Sequence, residues 1–341
     1  MINKIRLPGV IYEMTTLCNL KCRYCYNYWK NDNEDLSEIQ EYNPKKTLKQ
    51  FMKSVKCNEV TFSEGEPTTN FEELIDCIMY AKARNKRVTI ITNATLLDEE
   101  KIDILARLKV DLIEITINSC DEQIHESING IKGSFNKSIE NIRKIQSKGI
   151  EVVTPIVVTK YNCKNIRETL EYLKNLGIKR LMINRYNIGG EGCNKPEDVL
   201  PDFKDLKSAF KDCDEFAKNN DIKIYSLVCT PHCVLDPKDY PNIVFSNCSI
   251  GNLNRRYTLT RNGDIRYCNH SPEILGNVYK NKMKEILKSE KLQKWIDIEP
   301  KFCKECNKKE ECQYGCRAAS QQMKLGLEKQ DPIVDIYGIK I

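Results

Sequence analysis

The sequence predicts an α/β protein: a parallel sheet built from βα units, followed by a small cysteine-rich region. Three observations carry this. Short β-branched runs alternate with longer amphipathic stretches over residues 10–184, the pattern of strands covered by helices on a parallel sheet. The last third concentrates cysteines at short spacings. A chain of 341 residues is long enough for one large core plus a smaller domain, and the expected division is 1–228 and 229–341.

Strands are expected at VIYEMT (10–15), EVTFS (59–63), RVTIIT (87–92), DLIEITI (111–117), EVVTPIVVT (151–159) and KRLMIN (179–184), runs rich in the residues that fit a pleated surface. Helices are expected at 71–84, 98–108, 135–149 and 165–177, the last two ending at Gly149 and Gly177, which suit helix C-termini. Six such units are too few for a closed eight-stranded barrel and enough for an open partial one. In such folds the functional loops gather at the C-terminal ends of the strands.

Composition narrows the setting. The opening MINKIRLPGVIYEMTTLCNL lacks the apolar run of a secretory signal, and no stretch reaches the roughly 18 apolar residues of a membrane span. A cytoplasmic location is expected, without a membrane partner. In a reducing compartment, 17 cysteines read better as metal ligands and buried thiols than as disulfides. The net charge of +6 comes from 54 basic and 48 acidic residues, interspersed as on a solvated surface, so no nucleic-acid partner is expected.

Directly after the first strand, CNLKCRYCYN places Cys18, Cys22 and Cys25 at spacings of four and three. A structural zinc site closes with four protein ligands, whereas three leave one coordination position open for chemistry. Completion by a distant fourth residue is the alternative. After the second strand, SEGEPTT (63–69) offers Gly65 for close backbone approach, Pro67 for a stiff turn and Glu66 as a carboxylate. It also reads as an ordinary turn with Thr68 or Asn70 as helix cap. After the third strand, TNATLLDEE sets Asn93 at the same rim, where a turn-forming role is equally open.

Together the CxxxCxxC, EGEP and TNAT segments resemble the radical S-adenosylmethionine enzymes, over residues 8–186. That resemblance implies a partial (β/α)6 TIM barrel and a [4Fe-4S] cluster held by Cys18, Cys22 and Cys25, with the open iron binding the amino and carboxylate groups of S-adenosylmethionine. The reduced cluster would cleave the sulfonium to a 5′-deoxyadenosyl radical, which abstracts a hydrogen atom from substrate. It further implies Tyr24 near the adenine, Glu66 on the methionine ammonium, and Gly65 and Asn93 lining the cofactor. Three departures stand out: Glu64-Gly65 where a glycine pair is usual, Ala94 where glycine is common, and Thr116, Asn118 and Ser119 where Ser-x-Asp-Gly is frequent. Thr116 and Asn118 are accordingly candidate ribose contacts.

In the last third, Cys248 is followed by Gly263 and Cys268, and KFCKECNKKEECQYGC spaces Cys303, Cys306, Cys312 and Cys316 as Cx2Cx5Cx3C. On spacing alone the latter group also suits a zinc ribbon. Both groups resemble the SPASM extension, which holds auxiliary iron–sulfur clusters. With TPHC (230–233) resembling an upstream ligand segment, the resemblance implies Cys233, Cys248, Cys268 and Cys316 for a first auxiliary cluster and Cys303, Cys306 and Cys312 for a second. Relatives commonly end in Asp-Pro-x-Cys; this chain has DPIV, with Val334 in the cysteine's place. Asp331 or Asp335 as an oxygen ligand, a site open to substrate, and a degenerate site are the alternatives. Cys57, Cys77, Cys120, Cys163 and Cys213 read as buried small hydrophobes. Cys193 and Cys229 are either loop thiols without a role or hydrogen-atom donors, the weak catalytic candidates of the chain.

The resemblance implies an enzyme that modifies a ribosomally synthesised peptide by crosslink, thioether or epimerisation, served by an electron donor such as flavodoxin or ferredoxin. Small-molecule or haem-precursor oxidation is the alternative chemistry. Sulfatase maturation is disfavoured because Asn269 follows Cys268 where a catalytic aspartate is typical, and an amide is a poor base. An iron–sulfur electron carrier would need four ligands at the first loop and leaves EGEP and TNAT unexplained. Only residues 1–9 precede the first expected strand, so a separate leader-peptide-binding protein is expected.

Overall fold

The computed structural model describes residues 4–30, 42–250 and 255–340. Strands β1 (Ile5–Glu13), β2 (Val55–Ser63), β3 (Arg87–Ile91), β4 (Leu112–Glu114), β5 (Glu151–Val158) and β6 (Arg180–Arg185) overlap the six expected runs and pair in parallel, each with the next. Between them run α1 (Pro44–Ser54), α2 (Phe71–Lys82), α3 (Glu99–Arg107), α4 (Glu122–Asn129), α5 (Ser134–Ser147) and α6 (Ile166–Asn175). Local chemistry explains the starts and stops. The Asp98 side chain accepts from Lys101 N at the head of α3, with Glu99 and Glu100 in the first turn and Arg107 in the last, complementing the helix dipole. Gly149 and Gly177 follow α5 and α6 in the left-handed region, at φ 77° and 85°, as expected of helix ends.

Of the six helices between these strands, α1 and α4 were not anticipated, and the parallel sheet runs beyond six strands. After α7 (Phe203–Asn219), β7 (Lys223–Ser226) and β8 (Ile243–Phe245) add to it in parallel. On the other side, β9 (Tyr257–Thr260) pairs parallel to β1, followed by antiparallel β10 (Asp264–Arg266) and β11 (Ile274–Asn277). The strand order is β11-β10-β9-β1-β2-β3-β4-β5-β6-β7-β8. The sheet therefore has two ends among the described residues and is an open barrel. Val10, Val60, Phe62, Val88, Ile90, Ile113, Ile156 and Ile183 are fully buried in the core that the sheet shares with its helices. No helix among the described residues is long and apolar enough to cross a membrane.

The cysteine-rich region completes the chain with α8 (Met283–Ile286), α9 (Glu290–Asp297), α10 (Lys309–Cys312), α11 (Arg317–Gln322) and α12 (Pro332–Ile336), packed around Trp295, whose ring lies 4.6 Å from that of Tyr267. Buried ion pairs join it to the barrel: Arg266 of β10 with Glu13 of β1, and Arg185 of β6 with Asp331. Arg261 adds a two-pronged bridge to Glu73 of α2, at 2.6 and 2.9 Å. Removing one member of a buried pair strands the other charge. Asp331→Ala, which leaves Arg185 unpaired in the interior, is expected to lower stability by about 3–5 kcal/mol, measured as a fall in the anaerobic denaturation midpoint. An unchanged midpoint would mean that the barrel and the C-terminal region are joined by other contacts.

Candidate active site and metal centres

Because β1 to β4 are parallel, the segments that follow them emerge on one edge of the sheet. There the cysteine loop meets the EGEP turn. Glu66 N donates to Leu17 O at 2.7 Å, and a Cβ on Gly65 would stand 2.4 Å from Leu17 O and 2.7 Å from Thr15 O, so only glycine fits. The loop also hangs on α4, through Lys21 N to Asn129 O (3.0 Å) and Arg23 N to Ile128 O (2.9 Å). Asn93 closes the third side, its Nδ2 donating to Asn19 Oδ1 at 2.9 Å, while Asn19 Nδ2 donates to Thr95 Oγ1 at 2.8 Å. Cys18, Cys22 and Cys25 stand half-buried on this pinned loop. Tyr24 lies among Cys22, Cys25 and Asn118, and burial pushes its phenol well above its ordinary range.

Glu66 holds the rim of the site together. Its carboxylate, 1% exposed, accepts from Thr68 N (3.0 Å), Thr68 Oγ1 (2.6 Å), Thr92 Oγ1 (2.6 Å) and Asn93 N (2.7 Å). Three of these donors share Oε1 and one reaches Oε2. Glu66 thus fastens the turns after β2 and β3 to each other, and Asn70, not Thr68, caps α2 through Glu73 N. Asn118 is fully buried: its Oδ1 accepts from Val157 N (3.1 Å) and its Nδ2 donates to Asn129 Oδ1 (3.2 Å). This buried amide joins β5 to α4. Thr116 stands half-buried just past β4.

Both glycine departures fall at left-handed backbone. Glu64 has φ 67° and Ala94 φ 62°, a conformation that costs a residue with a Cβ about 1–2 kcal/mol. Glu64 is retained with its side chain in use: buried, it accepts from Tyr26 Oη at 3.1 Å, and Asn269 Nδ2 donates to Tyr26 Oη at 2.5 Å. Burial pushes the Glu64 carboxyl up to about 7. Gln322 of α11 ties this cluster to the loop, donating to Tyr26 O (2.9 Å) and His270 O (2.6 Å) and accepting from Gly190 N (2.8 Å). Glu64 stood out only as a departure from glycine, and Tyr26 and Gln322 were not singled out from the sequence. The glycine pair Gly189-Gly190 was the available signal, since a Cβ on Gly190 would meet Cys25 O at 2.4 Å.

The auxiliary cysteines sort differently from the expectation. Cys229 joins Cys248, Cys268 and Cys316: its thiol hydrogen-bonds that of Cys248, and Cys316 and Cys268 lie close enough to raise it further. That bond, with Arg255 and Arg317 nearby, draws Cys248 down to about 6. Asn187 Nδ2 donates to Cys316 Sγ at 3.3 Å. Cys233, expected in that group, instead lines one cavity with Cys303, Cys306 and Cys312, and Val334 lines it too. Asp331 is not a ligand candidate there, because its carboxylate is engaged by Arg185, Cys316 N and Ile333 N. Asp335 accepts from Gln330. Cys57, Cys77, Cys163 and Cys213 are buried thiols of the core, Cys120 is half-buried, and Cys193 sits in a turn beside Tyr186. Among the described residues no three His, Cys, Asp or Glu side chains converge as a single metal ion requires. Thiolates around an iron–sulfur core stand farther apart than those on one zinc. All-thiol groups on a glycine-cradled loop and around a carboxylate-free cavity fit such cores.

Comparison with known proteins agrees. A profile of the radical SAM superfamily matches residues 12–173, and the SPASM iron–sulfur cluster-binding domain matches residues 248–317. The chain belongs to the radical SAM superfamily. It binds a four-iron cluster and S-adenosylmethionine in its barrel, and its SPASM domain binds auxiliary clusters. This radical SAM chain is 26% identical to the antilisterial bacteriocin subtilosin biosynthesis protein AlbA of Bacillus subtilis, over 90% of its own length and 65% of AlbA. It thus spans less than two thirds of that relative. It is 24% identical to the PqqA peptide cyclase of Gluconobacter oxydans, over 96% of this chain and 90% of the cyclase. Its fold matches that of Streptococcus suis SuiB bound to the precursor peptide SuiA, with TM-score 0.70 and 18% identity over 97% of this chain and 75% of SuiB.

Two outcomes test the site. Glu66→Gln turns one acceptor of the four-donor carboxylate into a donor and is expected to cost about 1–3 kcal/mol of stability in the metal-free protein, measured by denaturant titration. His125, wholly buried, accepts from Asn118 N at 3.2 Å through Nδ1, and burial lowers its pKa from 6.5 to about 4. The neutral ring is favoured in the fold, so its contribution is present above pH 6.5 and lost as pH falls towards 4. The drop in stability over that window should be smaller in His125→Gln by up to about 3 kcal/mol; identical pH profiles would mean that the ring titrates normally.

Proposed function

We propose that this protein is a cytoplasmic enzyme that modifies a ribosomally synthesised peptide, using Cys18, Cys22 and Cys25 to hold the cluster that cleaves S-adenosylmethionine. The observation that carries the reading is the cysteine loop pinned at the sheet edge by the Gly65-Glu66 turn and by Asn93. When bound, the cluster and S-adenosylmethionine supply a 5′-deoxyadenosyl radical for hydrogen abstraction. The chain's own residues do the rest. Gly65 keeps the backbone clear at the rim, Tyr24 and Asn93 border the S-adenosylmethionine site, and Thr116 borders its ribose end. Glu64, Tyr26 and Asn269 form a polar wall between the loop and the SPASM domain, where a carboxyl near neutrality would hold or release a proton. We place the division between the barrel and the SPASM domain at residues 228 and 229.

A peptide substrate is favoured because relatives named for bacteriocin biosynthesis and for peptide cyclisation align with nine tenths or more of this chain. Flavodoxin or ferredoxin would deliver the electron, and a separate leader-binding protein would present the peptide. Replacing any one of Cys18, Cys22 or Cys25 by alanine is expected to abolish formation of 5′-deoxyadenosine in an anaerobic assay with reductant, since each removes a thiolate ligand of the open-iron cluster. Wild-type rates in any of the three would overturn the assignment.

A further inference from the structure

We propose that Cys233 is the fourth thiolate of the second auxiliary cluster, joining Cys303, Cys306 and Cys312, so that this cluster has no iron open to substrate. The inference rests on the radical SAM and SPASM reading above and goes beyond it, because the cysteine that relatives carry near the C-terminus is Val334 here. Val334 lines the very cavity that the four thiols share. Val334 of α12 and Cys233 of the segment after β7 thus line the same site.

Two Cys-x3-Cys segments explain how both auxiliary sites are filled. Cys229 and Cys233 frame one, and Cys312 and Cys316 frame the other. Between Cys312 and Cys316, Gln313, Tyr314 and Gly315 all have left-handed backbone, at φ 56°, 66° and 68°. So sharp a turn sends the two thiols to different sites. The segments lie back to back: a Cβ on Gly315 would stand 2.5 Å from Pro231 Cγ, and His232 N donates to Cys312 Sγ at 3.3 Å. At one end, Arg185 and Asp331 hold Cys229 O and Cys316 N; at the other, Cys233 and Cys312 face the second cavity. Each segment thus gives one thiol to each site. Among the described residues no carboxylate lines the second cavity. The rival ligand is His232, which also lines it and whose Nδ1 is buried without a hydrogen-bond partner.

Four thiolates on each auxiliary cluster would make both of them electron carriers, unable to grip a substrate through iron. The test is iron content and electron paramagnetic resonance of the anaerobically reconstituted full chain. Wild type should hold about twelve irons. Cys233→Ala should either fall to about eight or show the oxidised signal of a three-iron cluster, and adding Val334→Cys in that background should restore iron and spectrum. That rescue keeps the assignment testable even if Cys233→Ala alone folds poorly. Unchanged iron and spectrum in Cys233→Ala, or loss in His232→Ala with nitrogen hyperfine coupling in wild type, would overturn it. Wild type holding about four irons would overturn it while leaving the radical SAM reading standing. No iron at all would overturn both.

Discussion

The carboxylate of Glu66 is the constraint on which the site depends. It is buried at the rim of the sheet, where an ionised group is costly unless it is hydrogen-bonded. Four donors from the segments after β2 and β3 satisfy it. Those segments cannot separate without exposing donors or stranding the charge, and so they form one rigid rim. Against that rim, Glu66 N and the missing Cβ of Gly65 leave one position for the backbone at Leu17. The cysteine that follows, Cys18, inherits its placement from that rim.

A second consequence is that the barrel and the cysteine-rich region share one frame. β9 extends the barrel sheet alongside β1, and Gln322 reaches from α11 to the backbone of Tyr26, one residue past Cys25. Movement of the SPASM domain therefore bears directly on the first cluster's loop. The glycine pair at 189–190 lets the segment after β6 enter the same junction. Catalytic and auxiliary sites are joined through main-chain hydrogen bonds, which suits electron transfer between centres held at fixed separation.

Much of this was legible because parallel strands are written as continuous β-branched runs, and each motif followed one of them. The elements that escaped notice have weaker signatures. Helix α1 buries only Pro44, Thr47, Leu48, Phe51 and Met52 among lysines, and α4 buries the polar His125 and Asn129. β7 and β8 are four and three residues long. In the site, the structural part of Glu66 was not legible, because nothing in the sequence says that Thr68 and Thr92 point their hydroxyls inward. The exchange of Cys229 and Cys233 was equally hidden. Two cysteines four residues apart are equivalent by spacing, and only the turn around Pro231 decides which one faces which cavity. Glu64 and Ala94 were noticed as departures from glycine; that both occupy left-handed backbone emerges only in three dimensions.

The central claim is that the loop of Cys18, Cys22 and Cys25 leaves one iron free to bind S-adenosylmethionine. Electron–nuclear double resonance of the reduced protein with S-adenosylmethionine labelled at the methionine nitrogen addresses it directly. The account predicts nitrogen hyperfine coupling to the reduced cluster in wild type and none in the variant lacking the three loop cysteines. Absence of coupling in wild type, or its persistence in that variant, would contradict the account.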